Sequence, residues 1–297
     1  MVSFFPNPQR WTWRIPPLLI LLALLGSAPA QPAALQDRFV LTSDHVRLHC
    51  LEAGPPTGNT ILFIPGWTMP AWIWRPQIQA FAARYRVVAL DPRGQGESDI
   101  PLGGYEPARR GEDIADVIAQ LGPAPVLLVG WSLGVLDTLS YVHENGDARI
   151  AGLVLVDNSV GEDPPPAPLV LPHVRGPPLP RAVLVRRFVQ SMFRHPQTEA
   201  YLEQLTEASL RTPEYASRAL LAYPVPRSYW REAVYSTDKP LLYAVRPKFA
   251  AQAANLERGR PGTETALFTD AGHALFVDDA ARFNSLLDGF IRRRIWR

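Results

Sequence analysis

PVLLVGWSLG, residues Pro125 to Gly134, decides how the chain is read. Val126 to Val129 form an apolar run suited to a strand buried on both faces, and LGVLDTLSYVHENG from Leu133 reads as a helix that stops at Gly146. Between them stands Ser132, flanked two residues away on each side by Gly130 and Gly134. Strand, sharp turn and helix is the context of a nucleophile elbow, which strains the serine backbone and exposes its hydroxyl at a sheet edge. The two glycines have a steric reason to be there, because neighbouring backbone must come close. The bland alternative is an ordinary turn whose serine caps the helix.

Outward from the elbow, the amino-terminal stretch Met1 to Ala30 carries Arg10 and Arg14, then the apolar segment Leu18 to Leu25, then Ala28-Pro29-Ala30. This pattern predicts a secretory signal peptide cleaved after Ala30, hence an exported protein, periplasmic or secreted. Ile15 to Leu25 is too short to cross a bilayer of about 30 Å, so no membrane anchor is expected after cleavage. Taking away these 30 of 297 residues removes two arginines and no acids, leaving 28 basic against 28 acidic residues. The mature chain is therefore neutral and offers nothing to nucleic acid; the cluster Arg292, Arg293, Arg294 and Arg297 reads as a solvated helix end. The single cysteine, Cys50, excludes an intramolecular disulfide. Stability must come from a core, which one domain over residues 31–297 is large and apolar enough to supply.

Two β-like runs, Asp37 to Thr42 and Val46 to Ala53, flank Ser43-Asp44 and predict a hairpin. Then strands and helices alternate: strand Thr60 to Ile64, helix Ala71 to Tyr85, strand Arg86 to Leu90, helix Ala108 to Leu121, the elbow unit, and strand Ile150 to Val156. Leu241 to Val245 and Thr265 to Thr269 continue the rhythm much later. The expected architecture is α/β, a mostly parallel central sheet with helices on both faces. Between the sixth and seventh strands, over residues 158–238, the rhythm stops. A proline-rich run reaching Pro180 is followed by four helical segments, Arg181 to Phe193, Thr198 to Arg211, Glu214 to Ala222 and Arg227 to Tyr235. Helices inserted after a parallel strand are placed to roof a site at the strands' C-terminal edge, so the segment reads as a lid that also covers apolar surface.

Four segments together resemble the α/β-hydrolase fold superfamily over Asp37 to Arg294: ILFIPGWTM at Ile61 to Met69, DPRGQGES at Asp91 to Ser98, GWSLG, and AGHALF at Ala271 to Phe276. The likeness is to its lid-bearing serine hydrolases, the esterase and haloperoxidase branch; Ser132 argues against the dehalogenases, which place an aspartate at the nucleophile position. A serine hydroxyl needs an adjacent base at neutral pH, and imidazole suits the task. His273 is the candidate, because it follows a late strand and lies C-terminal to the serine, in hydrolase order. His45 and His49 precede the core of the sheet, His143 lies on the elbow helix, and His173 and His195 belong to the insertion, where either could meet a substrate.

The acid is less direct. In many relatives it follows the strand after the lid, where this chain has Arg246, Pro247 and Lys248 instead. Asp157, ending the strand before the lid, offers a carboxylate on the same edge, an arrangement some relatives resemble; Asp238 and Asp270 are its rivals. The resemblance also implies an oxyanion hole made of the backbone N–H groups of Leu133 and Trp67, with Pro65-Gly66 where many relatives have His-Gly. Trp67, Trp72, Trp74 and Trp131 wall the acyl pocket or pack the core. The DPRGQGES segment fits no phosphate-binding loop, so Asp91, Arg93 and Ser98 are read as turn-stabilising, and no metal or other cofactor is implied.

The expectation is an exported serine hydrolase that cleaves a small ester or related carbonyl compound through an acyl-enzyme on Ser132. Perhydrolysis of the haloperoxidase kind and carbon-carbon bond hydrolysis are alternatives within enzymes. A non-catalytic ligand-binding protein of the same fold is the alternative outside them.

Overall fold

The structure, a computed structural model, describes residues 1–4, 35–166 and 179–296. The chain divides into Met1–Gln31 and Pro32–Arg297, and the architecture below is that of the second unit. The expected signal peptide falls almost entirely on residues 5–34, outside the described residues, as do residues 167–178 of the proline-rich run, with His173 among them. No helix among the described residues is long and apolar enough to cross a membrane.

Eight strands form one sheet: β1 (Gln36–Leu41), β2 (Arg47–Ala53), β3 (Thr60–Ile64), β4 (Arg86–Asp91), β5 (Val126–Trp131), β6 (Ile150–Val156), β7 (Leu241–Val245) and β8 (Glu264–Leu267). Their spatial order is β1-β2-β4-β3-β5-β6-β7-β8. β1 and β2 make the expected antiparallel hairpin, β2 pairs antiparallel with β4, and every pair from β4 to β8 is parallel. β3, β4 and β5 are buried at every position because both faces are covered, which explains the apolar runs Ile61–Ile64, Val87–Leu90 and Val126–Val129 inside them.

Alternate residues of each strand serve different cores. Leu62, Leu128 and Leu153 face α2 (Pro107–Gln120) and α3 (Leu133–Asn145), whereas Phe63, Val129 and Val154 pack with α1 (Arg75–Phe81) and the late helices. The helix expected over Ala71 to Tyr85 is shorter. A 3₁₀ turn at Ala71–Trp74 precedes α1, and Phe81 O accepts the amides of both Arg84 and Tyr85, closing the turn that sends the chain into β4.

Four helices lie between β6 and β7: α4 (Arg181–Ser191), α5 (Glu199–Arg211), α6 (Glu214–Leu220) and α7 (Arg227–Tyr235). Proline precedes α4, α6 and α7, where its missing N–H costs no helical hydrogen bond, and Thr198 caps α5 by accepting from the Tyr201 amide. The insertion is divided between the two cores. Leu220 of α6 and Trp230 and Val234 of α7 join the α2–α3 side, while Val189 of α4 and Leu205 of α5 join Trp131 and Phe276 on the other. After β7 come α8 (Ala250–Gly259), α9 (Leu275–Asp278) and α10 (Ala280–Phe290). Cys50 is fully buried, and burial pushes its thiol pKa up to about 12, so it stays protonated and packs as a small apolar group.

Candidate active site

Five adjacent parallel strands, β3-β5-β6-β7-β8, end at one edge of the sheet, so the residues that follow them are neighbours. They are the Pro65-Gly66-Trp67 loop, Ser132, Asp157, Arg246 and the loop carrying His273. The sheet order reverses at β3, which places this edge at the crevice where open α/β sheets bind ligands.

Ser132 has φ 55° and ψ −119°, a strained conformation for a residue with a side chain. Close approach of backbone imposes it. A Cβ on Gly134 would sit 2.3 Å from Ile64 O, and one on Gly130 would sit 2.3 Å from Gly134 O, so helix, elbow and β3 meet at distances only glycine permits. The Asn158 side chain donates to Ser132 O at 2.8 Å, and the Ser132 amide donates to Val156 O, holding the turn against β6.

His273 lies between serine and acid. Its Nδ1 is 2.7 Å from Asp157 Oδ2, and its Nε2 is 2.8 Å from Ser132 Oγ. An ionised carboxylate can only accept, so Nδ1 carries the proton toward Asp157, and Nε2 is left to accept from the serine hydroxyl. The Asp157 carboxyl is fully buried. Burial alone would raise its pKa, but the hydrogen bond and charge of His273, then Arg246, reverse this and hold it below the usual carboxylate range. The structure thus brings together Ser132, His273 and Asp157 and leaves the rivals outside. Asp270 is exposed and paired with Arg194 at 2.6 Å, and Asp238 is exposed.

The His273 loop is clamped from several directions. Trp131 Nε1 donates to His273 O at 2.8 Å, Asp278 accepts the Gly272 and Arg194 amides, and the Ala274 amide donates to Met192 O. His195 of the insertion reaches Asp270 O at 2.8 Å, a link between insertion and loop. His143 is on the far end of α3, beside Glu144 and Tyr229, away from the serine.

The loop after β3 passes directly over the nucleophile: a Cβ on Gly66 would lie 3.0 Å from Ser132 Cβ. Leu133 opens α3, so its amide has no acceptor four residues back in the helix. Among the described residues the Trp67 amide also donates to no protein acceptor. The loop is pinned by the insertion, with Trp67 Nε1 donating to Ser217 O at 2.7 Å and Thr68 Oγ1 bonded to Ser209 Oγ at 2.6 Å. Of the four tryptophans near the loops, Trp67 lines a pocket of about 620 Å³ together with Thr68, Leu184, Val185, Phe188 and Leu221. Trp74 stacks on Phe276 and Trp131 packs on it edge-on, both buried in the core, and Trp72 meets Tyr201 edge-on.

Residues 61–286 match the family model described as the alpha/beta hydrolase family. The chain belongs to that family. The hydrolase is 23% identical over 274 residues to the AB hydrolase superfamily protein YisY of Bacillus subtilis (strain 168), covering 85% of this chain and 98% of that protein. It is 35% identical over 136 residues to Epoxide hydrolase 4 of Mus musculus, a match confined to 39% of this chain and 38% of that protein. Non-heme haloperoxidases are also among its relatives, matched over about two fifths of this chain. Among solved structures, a candidate aryl esterase from Burkholderia cenocepacia superposes with a TM-score of 0.77 and 27% identity, covering 86% of this chain and 98% of that one.

Two residues at the site carry roles that sequence reasoning missed. Arg246 stands in the position searched for a carboxylate, and its Nε donates to Asp157 Oδ2 at 2.6 Å. The opposite charge there was itself the signal, because it calls for an acid nearby. Asn158, for which the sequence suggested no part in the site, ties the loop after β6 to the elbow through its side-chain donor to Ser132 O.

Proposed function

We propose that this hydrolase is a serine hydrolase that cleaves a small ester or related carbonyl compound through an acyl-enzyme on Ser132. The observation that carries the reading is the unbroken line from Asp157 Oδ2 through both nitrogens of His273 to Ser132 Oγ. In the first half-reaction Ser132 Oγ attacks the carbonyl carbon while its proton passes to His273 Nε2, and the buried Asp157 stabilises the imidazolium. Negative charge developing on the carbonyl oxygen meets the amides of Leu133 and Trp67, preorganised donors in a site partly shielded from water. The imidazolium then gives its proton to the leaving alkoxide. Water, deprotonated by the same nitrogen, then attacks the acyl carbon; the acyl–Oγ bond breaks, the imidazolium returns its proton to Ser132 Oγ, and the carboxylic acid leaves.

The pocket of about 620 Å³ beside Trp67 is of small-molecule size, with an apolar wall of Leu184, Val185 and Phe188 from α4 and a polar side of Arg181, Glu214 and Arg218. The helices over residues 181–235 act in this reading as the lid, and their bonds to Trp67 and Thr68 make the oxyanion loop depend on it. Similarity to haloperoxidases favours a second outcome on the same site, in which hydrogen peroxide replaces water at the acyl-enzyme and releases a peracid. Residues 1–30 are proposed to direct export, with Gln31 as the first residue of the mature chain.

Fluorophosphonate labelling combined with p-nitrophenyl esters of graded chain length tests the proposal. Wild type is labelled at Ser132, and Ser132→Ala is neither labelled nor active, with kcat reduced by about 10⁶. Labelling that survives in Ser132→Ala, or turnover of epoxides by that variant, would overturn it.

A further inference from the structure

Arg246 contacts both other charged members of the site. It follows β7, and its backbone N–H donates to Asp157 Oδ1 at 2.9 Å while its Nε donates to Oδ2 at 2.6 Å, the same oxygen that accepts from His273. Its Nη2 stands 3.3 Å from His273 Nδ1. The guanidinium therefore grips the acid through a side-chain and a backbone donor and lies against the ring of the base.

We propose that Arg246 is a positioning residue, the standing counter-charge that aims Asp157 Oδ2 at His273 and opposes proton uptake by the Asp157–His273 pair. The inference rests on Asp157 and His273 being the acid and base of the reaction. A fully buried carboxylate beside a neutral imidazole would have no positive partner through most of the catalytic cycle, and desolvation would favour its protonated form. A protonated Asp157 would present a hydroxyl or a weaker acceptor to Nδ1 and lose control of the tautomer. Arg246 removes that hazard, since a guanidinium stays charged at every accessible pH. The same charge disfavours an added proton on Asp157, so the carboxylate stays the acceptor for Nδ1.

Among the described residues, the other groups facing the pair do not supply this charge. Ser132 approaches from β5, and Tyr243 of β7 is a neutral phenol donating to Asn158 O, its pKa raised by burial and by Asp157. On the histidine loop, Asp278 is occupied with the Gly272 and Arg194 amides, Arg194 is paired with Asp270, and His195 bonds the Asp270 carbonyl.

The test measures the pH dependence of kcat/KM in wild type, Arg246→Gln and Arg246→Lys. Alongside it, the imidazole of His273 is titrated by nitrogen-15 NMR in the Ser132→Ala background. With the charge removed, the acid limb and the imidazole titration both move up by about one unit. Arg246→Lys, which keeps the charge but cannot offer Nε and Nη2 together, falls between Gln and wild type. Proton uptake unchanged in both variants, even with activity reduced, would assign Arg246 a purely structural role and overturn the inference. Circular dichroism verifies folding; should Arg246→Gln not fold, Arg246→Met, which also removes the charge, is titrated in its place, and an unshifted titration there overturns the inference. Because the NMR titration needs no turnover, absence of fluorophosphonate labelling at Ser132 would remove the serine mechanism while leaving this result readable.

Discussion

Among the described residues of the hydrolase are two histidine–aspartate pairs with the same Nδ1–Oδ2 distance of 2.7 Å, His273 with Asp157 and His49 with Asp91. What differs is the company of the other ring nitrogen. His273 Nε2 faces the hydroxyl of Ser132, whereas His49 Nε2 faces a second carboxylate, Asp37 Oδ1, at 3.0 Å. An imidazole that donates from both ring nitrogens to carboxylates has no lone pair to offer. Burial would lower the pKa of His49, but hydrogen bonds and charge from Asp91 and Asp37 prevail and raise it, favouring the imidazolium. Asp91 also holds the amides of Ala71 and Glu97, so this second pair fastens β2 to the turn after β4 and to the loop before α1. One pair is poised for proton transfer and the other is a clamp. The lesson is that residue types and spacing within a pair do not define its role; the third partner does.

The comparison is broken most severely at the acid of the first pair. Asp157→Asn keeps the volume but not the charge, so it is expected to fold normally by circular dichroism while kcat for an ester falls by about 10⁴. A kcat near that of wild type would make Asp157 a loop-fixing residue, and the two pairs would then both be structural.

The second pair is expected to respond in the opposite currency. His49→Gln removes the cation between two carboxylates, one of them buried, and should cost about 3 kcal/mol in urea unfolding, the low end for a broken buried ion pair because Asp91 keeps its amide donors. The kcat of the folded fraction should stay within a few-fold of wild type. Since the pKa of His49 is raised on folding, its contribution is fully present below the unfolded value of about 6.5 and is lost as pH rises through the folded value. The stability gap between wild type and His49→Gln therefore narrows as pH rises above about 6.5. A gap that widened instead would mean a neutral histidine in the clamp.

Asp270→Asn and Asp238→Asn sharpen the comparison by doing little. Both carboxylates are exposed, and kcat should remain within about tenfold, a barrier change of roughly 1.4 kcal/mol or less. Collapse of activity in either would move the acid assignment away from Asp157.

Much of this was legible before any coordinates. The apolar run Val126 to Val129 reads as a strand covered on both faces, Ile61 to Ile64 and Ile150 to Val156 read as strands of the same sheet, and the glycines around Ser132 favour an elbow over an ordinary capping turn. Local sterics and hydrophobic burial act over a few residues, so they leave their mark in a contiguous stretch. The same holds for the four inserted helices, each announced by its own periodicity. The expected helix over Ala71 to Tyr85 was overextended at both ends: before α1 the Ala71 amide donates to Asp91, twenty residues away in the chain, and Ala71–Trp74 form a 3₁₀ turn, while after α1 Phe81 O closes the turn into β4.

The roles of charged side chains belong to the tertiary structure. DPRGQGES was read as a turn, and it is one, but Arg93 reaches out to Asp113 and Asp44, and Asp91 to His49. Arg246 looked like a missing acid until the sheet order placed it against Asp157, 89 residues away in the chain. Sequence by itself determined which segments become strands, where the elbow lies and which serine it exposes, since those follow from short-range packing. Only the tertiary structure decided which aspartate meets His273, which histidine is a clamp and what Arg246 does, because charge acts through space and depends on burial that distant segments create.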